Sequence, residues 1–396
     1  MLAACCLINL CLGSIYSWSV FSTAMAEYLN QAAGLSVNAG DLAIVYTIAN
    51  CIGPVTMIAG GSVNDRLGPR LVVMLGGILF GGGMFLSGFA RSVGFLIVSF
   101  GIIGGLGLGM AYGSVISTAV KLFPERSGFV GGLVTAAYGI SSVILPPVVS
   151  AIVASTSAPF AFKSVGAVFL IIIVASSLVL SVDGLEARPK SAALVKGNDV
   201  DWRGMIRQPV FYVMLVLLIC GAFSGMMIIS QASAIALTTV GMSEAQGATA
   251  VSVLALFNTF GRIGAGSLSD RIGRIGSLRL ACIVSAAAEA CLLLTGQGSV
   301  PLFYVGIILV GLSFGSFMGV YPGFTSDRFG LKNNSVNYGI MCIGFALAGY
   351  VGPLLAKNAY NDTGSYANAF MYACVFSACG LLLTFSYRRI VAKEVS

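Results

Sequence analysis

An arginine inside a long apolar stretch has the clearest potential chemistry in this sequence. Arg262 is the one charged residue within Val251–Ser267 and stands eight positions before Asp270. A guanidinium keeps its proton at every physiological pH, so it cannot become neutral in an apolar setting. It therefore needs a partner, and its planar fork fits a carboxylate through two parallel hydrogen bonds. Asn258, four positions earlier on the same helical face, would place an amide beside this site.

A second group of candidates supplies hydroxyls and aromatic rings. A tyrosine combines a hydroxyl donor with an apolar ring, and phenylalanines can bound a cavity and limit the size of its contents. Single aromatic residues in apolar stretches more often pack between helices than bind a ligand, so each is a candidate only. The candidates for the wall of the site are Tyr16, Tyr112, Tyr138, Phe314, Phe317 and Phe345.

Glu289 is the other ionisable side chain well inside an apolar stretch. Such a carboxyl can hold a proton, but it can also pair with a neighbouring helix or reach towards Gly296, two turns away; we favour a structural role. The sequence has no histidine, and its ten cysteines show no metal-ligand spacing. It therefore predicts no metal site, no catalytic nucleophile–base pair and no enzyme activity. Neither a P-loop nor a dinucleotide fingerprint after a strand is present, so we expect no cofactor.

The composition indicates the elements that must position these residues. Residues are 57% hydrophobic and 9% charged, against roughly 25% charged in soluble proteins. Apolar runs of twenty and more residues are typical of helices that cross a bilayer. We predict an all-α integral membrane protein of twelve transmembrane helices, near 1–28, 42–62, 71–89, 93–121, 128–152, 160–182, 208–238, 243–268, 277–295, 300–323, 334–357 and 365–387. A mid-span arginine then costs roughly 2.5–3.5 kcal/mol on insertion scales. It must find an anion, bond to helix carbonyls, or reach the membrane edge.

An internal repeat predicts two related halves. The segment GSVNDRLG at 61–68 matches GSLSDRIG at 266–273, an offset of 205 positions. Duplicated helical units are how many secondary transporters are built. We therefore predict a six-helix bundle over 1–182, a central loop over 183–207 and a second six-helix bundle over 208–396.

Basic residues predict the orientation of the chain. Seventeen of the 21 Lys and Arg fall in one set of loops and at the C-terminus, and the alternate loops hold only Arg91, Lys163 and Lys357. Lys and Arg accumulate on the cytoplasmic side of a membrane. Both termini and the central loop, with Arg188, Lys190 and Lys196, are therefore expected in the cytoplasm. The net charge of +7 follows from this topology, and we expect no nucleic-acid partner.

The repeated G-x-x-x-D-R-x-G segment resembles the signature loop of the major facilitator superfamily. The resemblance implies two pseudo-symmetric six-helix bundles and a gating role for Asp65, Arg66, Asp270 and Arg271. An aspartate at the membrane edge can meet a helix N-terminus or a basic partner in one conformation. Such a contact would hold the outward-open state and break when the cytoplasmic side opens.

Further segments resemble the oxalate:formate antiporters and the related monocarboxylate carriers. They are Tyr16-Ser17-Trp18, Ala111-Tyr112-Gly113, Lys121–Gly128 (KLFPERSG), Leu256-Phe257-Asn258 with Arg262, Ser326–Gly330 (SDRFG) and Asn337-Tyr338-Gly339. The resemblance implies that Arg262 binds carboxylate and that Tyr112 and Tyr138 line the cavity. Many proton-coupled carriers have Asp where Asn258 stands, and the oxalate antiporters have Lys where Phe345 stands.

These observations predict a secondary transporter of a small monocarboxylate such as lactate, pyruvate or formate. One fixed positive charge suits a monoanion better than a dianion, and an Asn at position 258 argues against proton coupling at that position. The alternatives are an oxalate:formate-type exchanger, a same-fold exporter of a drug or of another anion such as nitrate, and a transporter-like sensor. The expected partners are the anion, a lipid bilayer and a coupling proton or counter-anion. We expect a monomer in the cell membrane, of the bacterial inner-membrane type.

Overall fold

The computed structural model describes residues 1–180 and 199–395. Within these ranges the secondary structure is helical, without a β-strand, and twelve helices are long and apolar enough to cross a bilayer. The twelve-helix fold predicted from the sequence is confirmed. The helices are α1 Leu2–Ala32, α2 Ala43–Leu67, α3 Pro69–Ser87, α4 Val93–Leu122, α5 Pro124–Ser155, α6 Ala158–Val179, α7 Pro209–Val240, α8 Ala245–Ile272, α9 Arg274–Leu293, α10 Val300–Phe329, α11 Asn334–Thr363 and α12 Ala367–Ala392.

Most of the predicted central loop lies outside the described residues, as do Arg188, Lys190 and Lys196. Its described end forms a short helix, Trp202–Ile206, before α7. Asp201 caps this helix, because its side chain accepts the backbone N–H of Gly204 at 2.8 Å. An aspartate at this position satisfies a donor that the first helical turn leaves free.

Four of the membrane helices contain a segment of different helical pitch, and in α5 it is the opening 3₁₀ turn, Pro124–Arg126. In α1, residues Gly13–Ser17 form a 3₁₀ turn. In α4 and α7, the segments Ile97–Gly104 and Ala236–Val240 are π-helical. Such segments inside long helices are frequent at hinges and functional positions. The candidate residue Tyr16 lies within the 3₁₀ turn of α1.

The chain forms two compact units, one of Met1–Leu122, Ala137–Lys196 and Gly330–Ile340, the other of the remaining residues. In the first unit α3 packs on α6 and α4, α2 on α4, and α1 on α6. In the second unit α9 packs on α12 and α10, α8 on α10, and α7 on α12. Each pairing in one unit thus recurs six helices later in the other. The division into halves at 1–182 and 208–396 stays a prediction.

The duplicated motif ends a helix in both places, where the sequence had predicted a loop. The predicted spans ended at 62 and 268, which is wrong because α2 continues to Leu67 and α8 to Ile272. Asp65 and Asp270 therefore lie in the last turns of these helices. Gly68 and Gly273 then have φ values of 85° and 81°, a region that glycine occupies without a steric penalty. The last glycine of the motif thus stops one helix, and the next begins at the following residue.

Candidate anion-binding site

Arg262 of α8 is buried in the second unit, with 1% of its surface exposed. Its Nε donates to Oδ1 of Asn258 at 3.1 Å, and its Nη1 donates to the backbone carbonyl of Thr135 in α5 at 2.9 Å. The structure therefore brings Asn258 and Arg262 together, as their spacing of four predicted. Over residues 1–180 and 199–395, no carboxylate forms an ion pair with this guanidinium.

Three glycines bring neighbouring backbones close to Arg262. A methyl group on Gly132 of α5 or on Gly319 of α10 would overlap the carbonyl oxygen of Arg262. A methyl group on Gly315 would overlap the carbonyl of Asn258 and lie 2.9 Å from the amide nitrogen of Arg262. Small residues let membrane helices approach closely, where packing drives association. The position of Arg262 is therefore fixed on two sides by helix backbones.

The two hydrogen bonds leave part of the guanidinium fork free for a ligand. A guanidinium has five N–H donors in a fixed plane. The bonds to Asn258 and Thr135 use the Nε donor and one Nη1 donor. Neither bond involves Nη2, so each of the two terminal nitrogens retains at least one N–H donor. Two such donors match the two oxygens of a carboxylate. Both protein acceptors are neutral, so they orient the cation without cancelling its charge.

The three candidate tyrosines form one cluster in the first unit. The ring of Tyr138 in α5 meets the ring of Tyr16 edge-on at 5.2 Å and that of Tyr112 at 4.8 Å between centroids. Gly13 of α1 permits this arrangement, since a side chain there would overlap the carbonyl oxygen of Tyr138. Tyr16 also lines an open cavity of about 420 Å³ beside Trp18, Ser19, Ser22, Thr23, Ala39, Gly40, Ala43 and Tyr46. Their role in binding stays a prediction.

The three candidate phenylalanines occupy different surroundings. Phe314 and Phe317 of α10 are buried and press against Gly225 and Gly221 of α7, where any larger residue would overlap their rings. Phe345 of α11 is partly exposed, and its ring stacks on Phe314 at 6.4 Å. The observed contacts of Phe314 and Phe317 are those of helix packing. Phe345 is the one of the three with free surface, and the binding role of all three stays a prediction.

Asp270, at the end of α8, contacts the N-terminus of a neighbouring helix. Its two carboxylate oxygens accept the backbone N–H groups of Gly128 and Phe129 at 3.0 and 2.8 Å. These two residues lie in the first turn of the regular α-helical part of α5, Ser127–Ser155. Arg274 pairs with the same carboxylate at 2.6 Å and with Asp327 at 2.8 Å. An acidic side chain at a helix N-terminus satisfies free donors and interacts favourably with the helix dipole.

Asp65, at the end of α2, makes the equivalent contact in the first unit. Lys121 of α4 donates to it at 2.6 Å, and the backbone N–H groups of Ser335 and Val336 lie 3.4 and 3.3 Å from its two oxygens. Ser335 and Val336 belong to the first turn of α11. Asn64 strengthens the contact, because its amide donates to the hydroxyl of Ser335 at 2.6 Å.

The two arginines of the motif differ from the aspartates in their surroundings. Arg66 and Arg271 are exposed, and neither forms an ion pair with another described residue. The basic partners of the aspartates are instead Lys121 and Arg274. The gating role of Arg66 and Arg271 therefore stays a prediction, and no observed ion pair among the described residues supports it.

Sequence reasoning missed several members of these sites. Arg274 follows Asp270 by four positions, but Gly273 ends the helix between them, so the rule for i, i+4 pairs within one helix would not have indicated the ion pair. The glycines at 132, 315 and 319 stand out in the sequence as small residues, but small residues occur throughout it. The carbonyl of Thr135 carries no sequence signal, since every residue has such an acceptor.

Comparisons with known proteins agree with this architecture. The family model of the Major Facilitator Superfamily matches residues 7–353. An MFS-type transporter of Escherichia coli, YhjX, is 29% identical over 337 residues, covering 85% of this chain and 82% of the relative. The oxalate:formate antiporter of Oxalobacter formigenes is 26% identical, with 94% of this chain and 86% of the relative covered. Monocarboxylate transporter 12 of Rattus norvegicus is 26% identical, with coverages of 98% and 84%.

Among solved structures, the fold is similar to that of the transporter FucP in its outward conformation. The TM-score is 0.70 at 12% identity, and the match covers 96% of this chain and 98% of FucP. At this identity the likeness concerns the fold alone. The family model spans most of the chain and the twelve helices have the expected arrangement, so this multi-pass membrane protein belongs to the Major Facilitator Superfamily of transporters.

Proposed function

We propose that the chain is a secondary transporter of a small monocarboxylate of the lactate, pyruvate or formate type, with Arg262 binding the carboxylate. The observation that carries this proposal is a buried guanidinium whose hydrogen-bond partners in the described chain are both neutral. Such a cation in low dielectric requires a negative partner, and leaving it unmatched is costly. The carboxylate of the cargo supplies the negative charge. It binds to the N–H donors of the guanidinium that have no acceptor in the described chain.

The number of positive charges at the site favours a monoanion. Arg262 provides one, and position 345, where the oxalate antiporters resembled by this sequence have lysine, is Phe345. A dianion would bring a second negative charge into an apolar site without a cation to match it. Two relatives are named for carboxylate cargo, an oxalate:formate antiporter and a monocarboxylate transporter, which supports the general class. Exchange of the oxalate:formate type is the second candidate.

We propose alternating access as the mechanism, and the helix-end contacts support it. Alternating access moves one six-helix half against the other around a central site. The contacts of Asp65 with α11 and of Asp270 with α5 would hold the outward-open state and would break when the cytoplasmic side opens. In this orientation both termini lie in the cytoplasm. Binding of the anion neutralises Arg262 and lowers the free energy of the closed intermediate. We further propose that the protein acts as a monomer in a bacterial inner membrane.

The test is uptake by proteoliposomes that contain the purified chain. Labelled lactate, pyruvate and formate are offered separately, with oxalate and nitrate for comparison. We expect saturable uptake of a monocarboxylate, loss of that uptake in Arg262→Ala, and near-complete loss in Arg262→Lys, because an ammonium cannot form the planar fork. The matched control is Arg91→Ala, which removes an exposed positive charge far from Arg262 in the sequence. This variant should transport normally.

Two results would refute parts of this proposal. Normal transport by Arg262→Ala would remove the role assigned to the guanidinium. Uptake of nitrate or of an amphiphile without any monocarboxylate would replace the cargo class, while leaving the transporter fold unaffected. Preloading with unlabelled formate separates exchange from net uptake, since an exchanger needs an anion on the opposite side.

A further inference from the structure

Glu289 lies within α9 and is fully buried, with 0% of its surface exposed. The hydroxyl of Ser224 in α7 donates to its Oε1. Its Oε2 is buried and has no hydrogen-bond partner in the described chain. The sequence left open whether this side chain reaches the membrane edge or pairs with a neighbouring helix. The first alternative is wrong, because the protein covers the whole side chain.

The surroundings of Glu289 in the described chain supply polar groups but no ion-pair partner. On α12 the thiol of Cys374 interacts electrostatically with the carboxyl. On α7, Cys220 stands one turn from Ser224, and α10 carries Tyr304 near its start. The helix α8 packs near the opposite end of α9, where Ser277 donates to the carbonyl of Ala265. None of the ion pairs among the described residues includes Glu289.

A carboxylate in this place would be an isolated buried charge. Transferring an ionised carboxyl from water to an apolar interior costs far more than one hydrogen bond returns. The hydroxyl of Ser224 supplies one such bond, and Oε2 has none. A carboxyl in its neutral form removes the charge and keeps the Ser224 bond, because the carbonyl oxygen still accepts it. The one cation small enough to sit on an oxygen that is enclosed by packed side chains is a proton.

We propose that Glu289 is a proton-binding site of this transporter. The proton sits on Oε2, and Oε1 accepts the hydroxyl of Ser224. Loss of the proton leaves a charge that the contact between α7 and α9 cannot solvate, so release requires these helices to separate and admit water. Protonation is therefore linked to the conformation of the second unit. The effect of this link on anion transport rests on the proposed function. The presence of a proton on Glu289 does not depend on the proposed function.

The first test needs no substrate. Infrared spectra of the purified protein at neutral pH should contain the C=O stretch of a protonated carboxyl, which shifts in D₂O. The band should vanish in Glu289→Gln, which keeps the shape of the neutral side chain, and should shift in frequency in Ser224→Ala. Glu125→Gln, at an exposed position, is the control and should leave the band unchanged. Identical spectra for the natural protein and Glu289→Gln would overturn the proposal.

The second test measures coupling in proteoliposomes. A pH gradient, acidic outside, should accelerate net monocarboxylate uptake by the natural protein. In Glu289→Gln we expect net uptake to lose its response to the gradient, because a glutamine cannot carry a proton, while counterflow exchange remains measurable. An undiminished response in this variant, or no response in the natural protein, would overturn the coupling. Absence of any monocarboxylate transport would sink the proposed function instead, while the infrared result would still decide whether the proton is there.

Discussion

Replacing Asp270 by asparagine tests how the end of α8 holds the start of α5. The carboxylate accepts N–H groups from Gly128 at 3.0 Å and Phe129 at 2.8 Å, and it pairs with Arg274 at 2.6 Å. An asparagine keeps one acceptor oxygen and loses the charge. One N–H group of α5 then loses its acceptor, and the bond of the other becomes a weaker, neutral one.

The expected cost can be worked out from these bonds. A hydrogen bond to a charged group contributes about 1.5–3 kcal/mol, and a neutral one about 0.5–1.5 kcal/mol. The Asp270 side chain is 15% exposed, so solvent screens part of the difference. Arg274 is not stranded, because it keeps Asp327 and the hydroxyl of Ser127. We expect a net loss of about 2 kcal/mol, which corresponds to a change of about 25-fold in the equilibrium between the closed and open contact.

Hydrogen exchange at single amides measures this contact directly. The first turn of a helix leaves its N–H groups without an intrahelical acceptor, so protection at Gly128 and Phe129 reflects the bonds to Asp270. These amides should exchange about 25-fold faster in Asp270→Asn. The matched control is Asp65→Asn, which should expose the amides of Ser335 and Val336 and leave those of α5 unchanged.

The result that would refute this reasoning is equal exchange at Gly128 and Phe129 in the natural protein and in Asp270→Asn. Faster exchange along the whole of α5 would also contradict it, because the bonds in question belong to the first turn alone.

Two further predictions concern the surroundings of the candidate anion-binding site. Gly319→Ala should lower the melting temperature in detergent, because the added methyl group overpacks the helix contact at a cost of about 1–3 kcal/mol. The control is Gly264→Ala, where no heavy atom lies within 4 Å of the added methyl, and it should not lower the melting temperature. Equal melting temperatures for the two variants would contradict the close approach of the helices at Arg262. Phe345→Lys adds a second positive charge at a partly exposed position and should raise oxalate uptake relative to formate by about tenfold; an unchanged ratio in proteoliposomes would show that position 345 lies away from the cargo.

Much of the fold could be predicted from the sequence because a bilayer imposes its own length on apolar runs. The twelve spans follow from that constraint, and the internal repeat follows from the copies of G-x-x-x-D-R-x-G. The helix ends at Leu67 and Ile272 were predicted several residues too early. Charged residues lower the hydropathy of a window, but they do not end a helix; the glycines at 68 and 273 do, by adopting positive φ.

The candidate site was predictable in its charge but not in its geometry. Arg262 and Asn258 are visible as a polar pair at a spacing of four in an apolar stretch. The carbonyl of Thr135 is not, because it depends on how closely α5 approaches α8, and that distance is set by glycines whose roles become clear only when the helices are packed together. Likewise, the burial of Glu289 depends on its facing α7, whereas the sequence allowed the membrane edge as well.

The two bonds of Arg262 bear directly on whether it has a purely structural role. A structural arginine would be expected to satisfy its donors and its charge within the protein. Here the described chain contributes two neutral acceptors, an amide oxygen and a helix carbonyl, which fix the plane of the guanidinium but leave its charge unmatched. Orientation is therefore provided by the chain and neutralisation is left to something else. That division is what a binding site for an anion requires: a fork held in a defined direction before the cargo arrives, and a free energy of binding that comes from completing the charge.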